Sequence, residues 1–464
     1  MTPLFRPLSA AIILALSSQL AYADTLRDVY ELAMKNDAKL KAAEANYRAN
    51  LEVENQALSA LLPQVNATAN YTEQDIDSEG FSQSTLSNTK SNRETETKSW
   101  GASLDQSILD LSAWYTFKSG KQTTKQAEAQ LAYDQQAVIV RTSEAYFNVL
   151  RARDNLEASR AEERATKRQL EQTQQRFDVG LIAITDVHEA RAVYDDTVVQ
   201  RLTFEGDVGT SYEALTVLTG QVHANLSLLN KDFPVVDPSP MARNEWVDFA
   251  LENNYALKAV QYAMQSSKQN ASAKKMGHAP TITGRIAYDD NDTEGDFNFP
   301  SGGFPLDSVD DGTSWSVNFK LPLYSGGRVS AQRRQAYEQY NAARENEIDT
   351  RRTVIQSTRS LHLTTTTDVQ RVKARSRGII STRSALEATQ AGYEVGTRNI
   401  VDVLQAQRAL YGSIRDYANS RYDYVLNMLR LKQQAGTLSP QDIIDLNEWL
   451  VAADSTSASE YTQY

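Results

Sequence analysis

Two stretches decide the fold: Thr281-Ile282-Thr283-Gly284-Arg285-Ile286-Ala287-Tyr288 and Trp315-Ser316-Val317-Asn318-Phe319-Lys320-Leu321-Pro322-Leu323. In the first, Ile282, Gly284, Ile286 and Tyr288 alternate with Thr283, Arg285 and Ala287. In the second, Trp315, Val317, Phe319, Leu321 and Leu323 alternate with Ser316, Asn318, Lys320 and Pro322. A period of two puts the apolar set on one face of a strand. Each run is close to the ~9–11 residues that a tilted membrane strand needs. Tyr or Trp stands near one end of the apolar face, where an aromatic girdle belongs. Arg285 and Lys320 fall on the other face, as lumen residues would.

Two earlier stretches read the same way. Val65, Ala67, Ala69 and Tyr71 alternate with Asn66, Thr68, Asn70 and Thr72. Trp100, Ala102 and Leu104 alternate with Gly101, Ser103 and Asp105. The polar segments between the partners, Ser78 to Lys98 and Asp289 to Thr313, read as long outer loops. Within the second, Asp290-Asn291-Asp292-Thr293-Glu294-Gly295 loosely imitates a calcium loop but lacks the terminal bidentate Glu. A solvated acidic loop is the expectation there.

The rest of the chain is helical in character. Residues 121–179 contain neither Pro nor Gly and are rich in Ala, Gln, Arg and Glu. Such an interval predicts a helix of roughly 90 Å, long enough to need coiled-coil-like neighbours. Between Arg151 and Arg176 the only large apolar side chains are Leu156 and Leu170, so Ala must supply the close packing. Ser330 to Gln390 reads alike.

Composition narrows the classes. The 464 residues carry 48 Lys+Arg against 59 Asp+Glu, a net charge of −11, with no Cys. Mean hydropathy is −0.51 and the pI about 5.1. No run of ~20 apolar residues exists, which excludes a polytopic helical membrane protein. The acidic balance argues against nucleic acid as a partner. Absent Cys removes disulfides, thiolate metal sites and lipidation on Cys. Arg6, the apolar run Ala10 to Leu16 and Ala21-Tyr22-Ala23 read as a signal peptide over 1–23.

The chain duplicates itself. Ala33/Ala250, Asn36/Asn253, Leu40/Leu257, Pro63/Pro280 and Tyr71/Tyr288 recur at an offset of 217. Phe177-Asp178-Val179-Gly180 returns as Tyr393-Glu394-Val395-Gly396. We divide the chain into a first repeat, 24–240, a second, 241–438, and a C-terminal collar segment and tail, 439–464. Each repeat reads helix (26–62, 243–279), strand, loop, strand, long helix, Val-Gly turn, returning helix. Four strands cannot close a membrane barrel, since single-chain barrels have at least 8 and an open edge in lipid is costly. The barrel must be shared: two chains give 8 strands, three give 12.

The sequence resembles the TolC family of outer-membrane efflux channels from Asp24 to Leu450. The most specific pieces are Ala145 to Leu150, Gln175 to Val187 and Gly392 to Leu404. The resemblance implies a homotrimer with a 12-stranded barrel continued by a long α-helical periplasmic tunnel. It implies a periplasmic adaptor and an inner-membrane pump or ABC transporter as partners, as in drug efflux and type I secretion. It places adaptor contacts on Val179, Gly180, Leu181, Val395, Gly396 and Thr397. It makes Thr185, Asp186, Tyr393 and Arg398 a latch, in which Asp186 bonds Tyr393 and Arg398. It makes Asp402 a constriction ring. The family commonly has a second acid three positions on, where this chain has Gln405, so one ring of three charges is expected. His188, His223, His278 and His362 show no metal spacing, and no catalytic motif appears. We expect a conduit with no cofactor and no catalytic site. The competing classes are a periplasmic coiled-coil scaffold and a phage or colicin receptor.

Overall fold

The computed structural model describes residues 23–82 and 87–451. The expected signal peptide, except Ala23, and the tail from 452 lie outside them. In chain order the elements are α1 (Leu26–Asn36), α2 (Ala38–Ser59), β1 (Gln64–Ser82), β2 (Ser87–Leu109), α3 (Leu111–Asp178), α4 (Ile184–Thr219) and β3 (Leu228–Leu229). They continue as α5 (Arg243–Asn253), α6 (Tyr255–Lys275), β4 (Thr281–Phe299), β5 (Gly302–Pro305), β6 (Ser308–Lys320), α7 (Arg328–Glu394), α8 (Ile400–Gln434), α9 (Pro440–Asn447) and β7 (Leu450–Val451). α3 and α7 run 68 and 67 residues, and α4 and α8 run 36 and 35.

The chain forms two compact units. One comprises residues 42–134 and 251–356 and holds the sheet. Its order is β1-β2-β4, with β5 and then β6 along the far edge of β4, all antiparallel. Register aligns Val65, Leu104, Ile286 and Trp315 in one row across four strands. Trp315 is 81% exposed and Val65 73%, so this row is an apolar outer face. Trp100 packs on Tyr288 with ring centroids 5.3 Å apart. On the opposite face Asp105 stands directly across from Arg285, and Arg285 Nη1 lies 3.2 Å from Asp105 Oδ2.

The strands are much longer than their alternating cores. β1, β2 and β4 have 19, 23 and 19 residues. The segments read as long outer loops are therefore mostly strand. Their polar ladders are held by cross-strand pairs: Lys90 with Glu79, Lys98 with Glu294, and Thr97 Oγ1 with Thr293 Oγ1 at 3.2 Å. Asp290 to Gly295 lies within β4, where successive side chains leave opposite faces and do not converge on an ion. Gly295 is required there, because a Cβ would stand 2.2 Å from the Glu94 carbonyl.

The other unit gathers residues up to 41, 135–250 and from 357 onward. Its main core joins Leu26 and Val29 of α1, Leu215 of α4, Val369 of α7, Val425 of α8 and Ile443 of α9. Tyr146, Phe147, Val149 and Leu150, from the motif Ala145 to Leu150, sit fully buried within it. Along the apolar-poor part of α3, Ala152, Ala158, Ala161 and Ala165 are buried together with Leu156 and small polar residues such as Ser159 and Thr166, as close packing with small side chains requires. β3 pairs with β7, Leu229 opposite Leu450, a two-residue ladder with no period to reveal it in sequence.

The single helix expected over 26–62 is broken after α1. The Asp37 N–H closes on the Ala33 carbonyl at 2.8 Å, and its buried carboxylate accepts the Lys39 N–H and the Arg141 guanidinium. At the matching break Asn254 accepts the Leu257 N–H at 2.9 Å and caps α6. A side chain that satisfies local backbone donors competes with helix continuation.

Candidate gate at the two helical turns

α3 ends on Asp178 because Gly180 adopts a positive φ of 76°. That conformation lets the Leu181 N–H reach back to the Arg176 carbonyl at 2.9 Å and the Gly180 N–H to the Phe177 carbonyl at 2.8 Å, satisfying carbonyls a helix end leaves open. The second turn repeats the device. Gly396 has φ 79°, its N–H reaches the Tyr393 carbonyl at 3.2 Å, and the Thr397 N–H reaches the Gly392 carbonyl at 2.9 Å. Gly392 leaves room for Arg398 to fold back, since a Cβ would lie 2.9 Å from Arg398 Cγ. Val179, Leu181 and Val395 are 70%, 73% and 76% exposed, and Gly180, Gly396 and Thr397 are exposed beside them.

The helices that leave the turns begin differently. Asn399 caps α8 by accepting the Asp402 N–H at 2.8 Å, whereas Ala183 gives α4 no side-chain cap. Asp186 and Asp402 both stand in a first helical turn, where the helix dipole favours a carboxylate. Thr185 Oγ1 lies 3.4 Å from Asp186 Oδ1. Arg398 Nη1 lies 3.7 Å from Asp402 Oδ2, with both side chains open to solvent, a pair worth about 0–1 kcal/mol. Gln405 is exposed one turn beyond Asp402 on the same face.

Among the described contacts Asp186 meets neither Tyr393 nor Arg398. Within one chain Arg398 is taken by its helical neighbour Asp402, and the Tyr393 hydroxyl is buried with no hydrogen-bond partner. The Tyr393 ring is held all the same. It packs with Leu386 and Val403 in one cluster, with Ala190, Ile400 and Leu404 in another, and beneath Arg176. Arg176 was not singled out from sequence, because no local spacing links residues 217 positions apart.

Above the turns α8 is braced to the first hairpin. Arg415 Nη1 lies 2.7 Å from Glu162 Oε2 of α3, and Arg408 Nη2 lies 2.8 Å from Asp196 Oδ2 of α4. Glu162 is buried, while Arg408 and Asp196 are half-exposed. Farther along α7, Asp368 is fully buried, accepts Asn427 Nδ2 at 2.8 Å, and pairs with Arg371 at 2.7 Å. Burial raises its carboxyl above the usual range against the pull of both partners.

Two long helical hairpins with glycine-closed tips, joined to strands with an apolar outer face, define a class of outer-membrane channel. The outer membrane efflux protein family model matches residues 29–221 and 246–437, and the chain belongs to that family. It is 36% identical over 447 residues to outer membrane protein TolC of Vibrio cholerae, covering 96% of this chain and 98% of that one. It is 26% identical over 425 residues to alkaline protease secretion protein AprF of Pseudomonas aeruginosa, covering 91% and 86%. The solved outer membrane protein VceC of Vibrio cholerae shares the fold, with TM-score 0.72 over 89% of this chain and 96% of that one, at 18% identity. The chain is thus an outer-membrane channel protein of efflux or secretion systems, in a Gram-negative bacterium.

Proposed function

We propose that three copies of this chain close one 12-stranded barrel and continue as an α-helical tunnel, a passive gated conduit for drugs and proteins. The observation that carries it is the pair of free sheet edges. Among the described residues β1 pairs only with β2, and β6 only with β4. Each edge in lipid leaves a row of backbone groups unpaired, at several kcal/mol per group. Joining β6 of one copy to β1 of the next satisfies both edges, and antiparallel order is kept around the ring.

In this reading residues 24–240 and 241–438 are structural repeats and 439–464 is a peripheral segment and tail. The exposed apolar tips at Val179, Leu181 and Val395 dock a periplasmic adaptor, which delivers cargo from an inner-membrane pump or ABC transporter. Thr185, Asp186, Tyr393 and Arg398 hold the entrance closed, and Asp402 forms the charged constriction beside an uncharged Gln405. The test is complementation of a channel-deletion strain, read by drug susceptibility with affinity capture of the adaptor. Full-length protein should restore resistance and retain the adaptor. Resistance unchanged, with the protein in the outer membrane, would refute the conduit.

A further inference from the structure

Tyr393 is shared by both hydrophobic clusters of the entrance, yet its hydroxyl finds no partner among the described residues. Within one chain its orientation is therefore set by what holds the ring. One face of that ring is covered by Arg176, whose guanidinium carbon lies 4.9 Å from the ring centroid. A guanidinium within about 6 Å of an aromatic face is attracted by the ring quadrupole, and a planar one also stacks. Arg176 stands on the last turn of α3, and its carbonyl closes the first turn by accepting the Leu181 N–H. The same residue thus shapes one turn with its backbone and grips the other with its side chain. Among the described residues no carboxylate lies within ion-pair distance of Arg176 to draw it away.

We propose that Arg176 is a positioning residue of the entrance. Stacked on Tyr393, it ties the α3–α4 turn to the end of α7 within one chain and fixes the ring that the latch uses. The proposal rests on the gate reading above, and it assigns Arg176 an action through the ring and not through the Tyr393 hydroxyl.

The experiment is single-channel recording of the intact channel in planar bilayers. Arg176→Gln should raise the open-to-closed ratio roughly two- to five-fold, the size of one partly exposed stacking contact. Arg176→Lys, which keeps the charge but not the plane, should recover part of the closure. The decisive comparison is non-additivity. In a Tyr393→Phe background, which keeps the ring, Arg176→Gln should have its full effect. In a Tyr393→Leu background it should add nothing. An equal effect in both backgrounds overturns the proposal. Tyr393→Phe with Arg398→Ser serves as the control. If that pair opens the channel while Arg176→Gln does not, the gate stands and the role of Arg176 falls. If neither opens it, the gate reading itself fails, and this proposal with it.

Discussion

Replacing Arg415 with Met removes the cation that, among the described residues, is bonded to Glu162, and the cost can be worked from the geometry. The Glu162 side chain is 2% exposed and that of Arg415 16%, with 2.7 Å between charged atoms. Arg415 also lies 5.9 Å from the Phe204 ring on α4. Orphaning a buried charge costs roughly 3–5 kcal/mol. The low end applies, because the Arg415 side chain is itself 16% exposed, so its removal does not leave the carboxylate sealed from water. About 3 kcal/mol is roughly two decades in a local opening equilibrium. Amide exchange around Gly412 to Asp416 should quicken by about 100-fold, while the sheet is unaffected. Glu162→Leu added to Arg415→Met should restore most of the protection, since an apolar pair of similar volume removes the buried charge altogether. Exchange within about three-fold of the parent in the single variant would refute the reasoning. So would a double variant no better protected than the single.

Three further outcomes follow from the site. Asp402→Ala should lower cation preference in reversal-potential measurements, and Gln405→Glu should raise it, because an added ring of charge deepens the local potential; no change in either places the constriction elsewhere. Gly396→Ala has open space for its Cβ but a φ of 79°, so it should weaken the turn by about 1–2 kcal/mol, seen as faster amide exchange at Thr397 and Arg398. Asp368 has a raised folded pKa, so its contribution favours the fold below the ordinary carboxylate range and is lost as pH rises through the raised value. The melting temperature of Asp368→Asn minus that of the parent should therefore be largest near neutral pH and shrink on acidification; a difference that grows in acid contradicts the assigned burial.

The long helices were legible because Pro and Gly are absent over 121–179. The alternating face through Val65, Leu104, Ile286 and Trp315 was legible from a period that only a strand explains. Strand length was not. Beyond that face the ladder is held by pairs such as Thr97 with Thr293, and polar cross-strand partners 196 residues apart leave no hydropathy signal. The break at Asp37 was hidden too, because one carboxylate that caps Lys39 and takes Arg141 resembles any helical Asp until Arg141 is beside it. Glycine placement revealed both helical turns. The packing of Tyr393 beneath Arg176 depends on two repeats meeting in space, which no single repeat encodes.

The shared barrel is the central claim, and native mass of the intact protein in detergent tests it most directly. Three chains per particle, with β1 and β6 edges paired between copies, is the predicted result. A stable inserted monomer, or a particle of two chains, would contradict it.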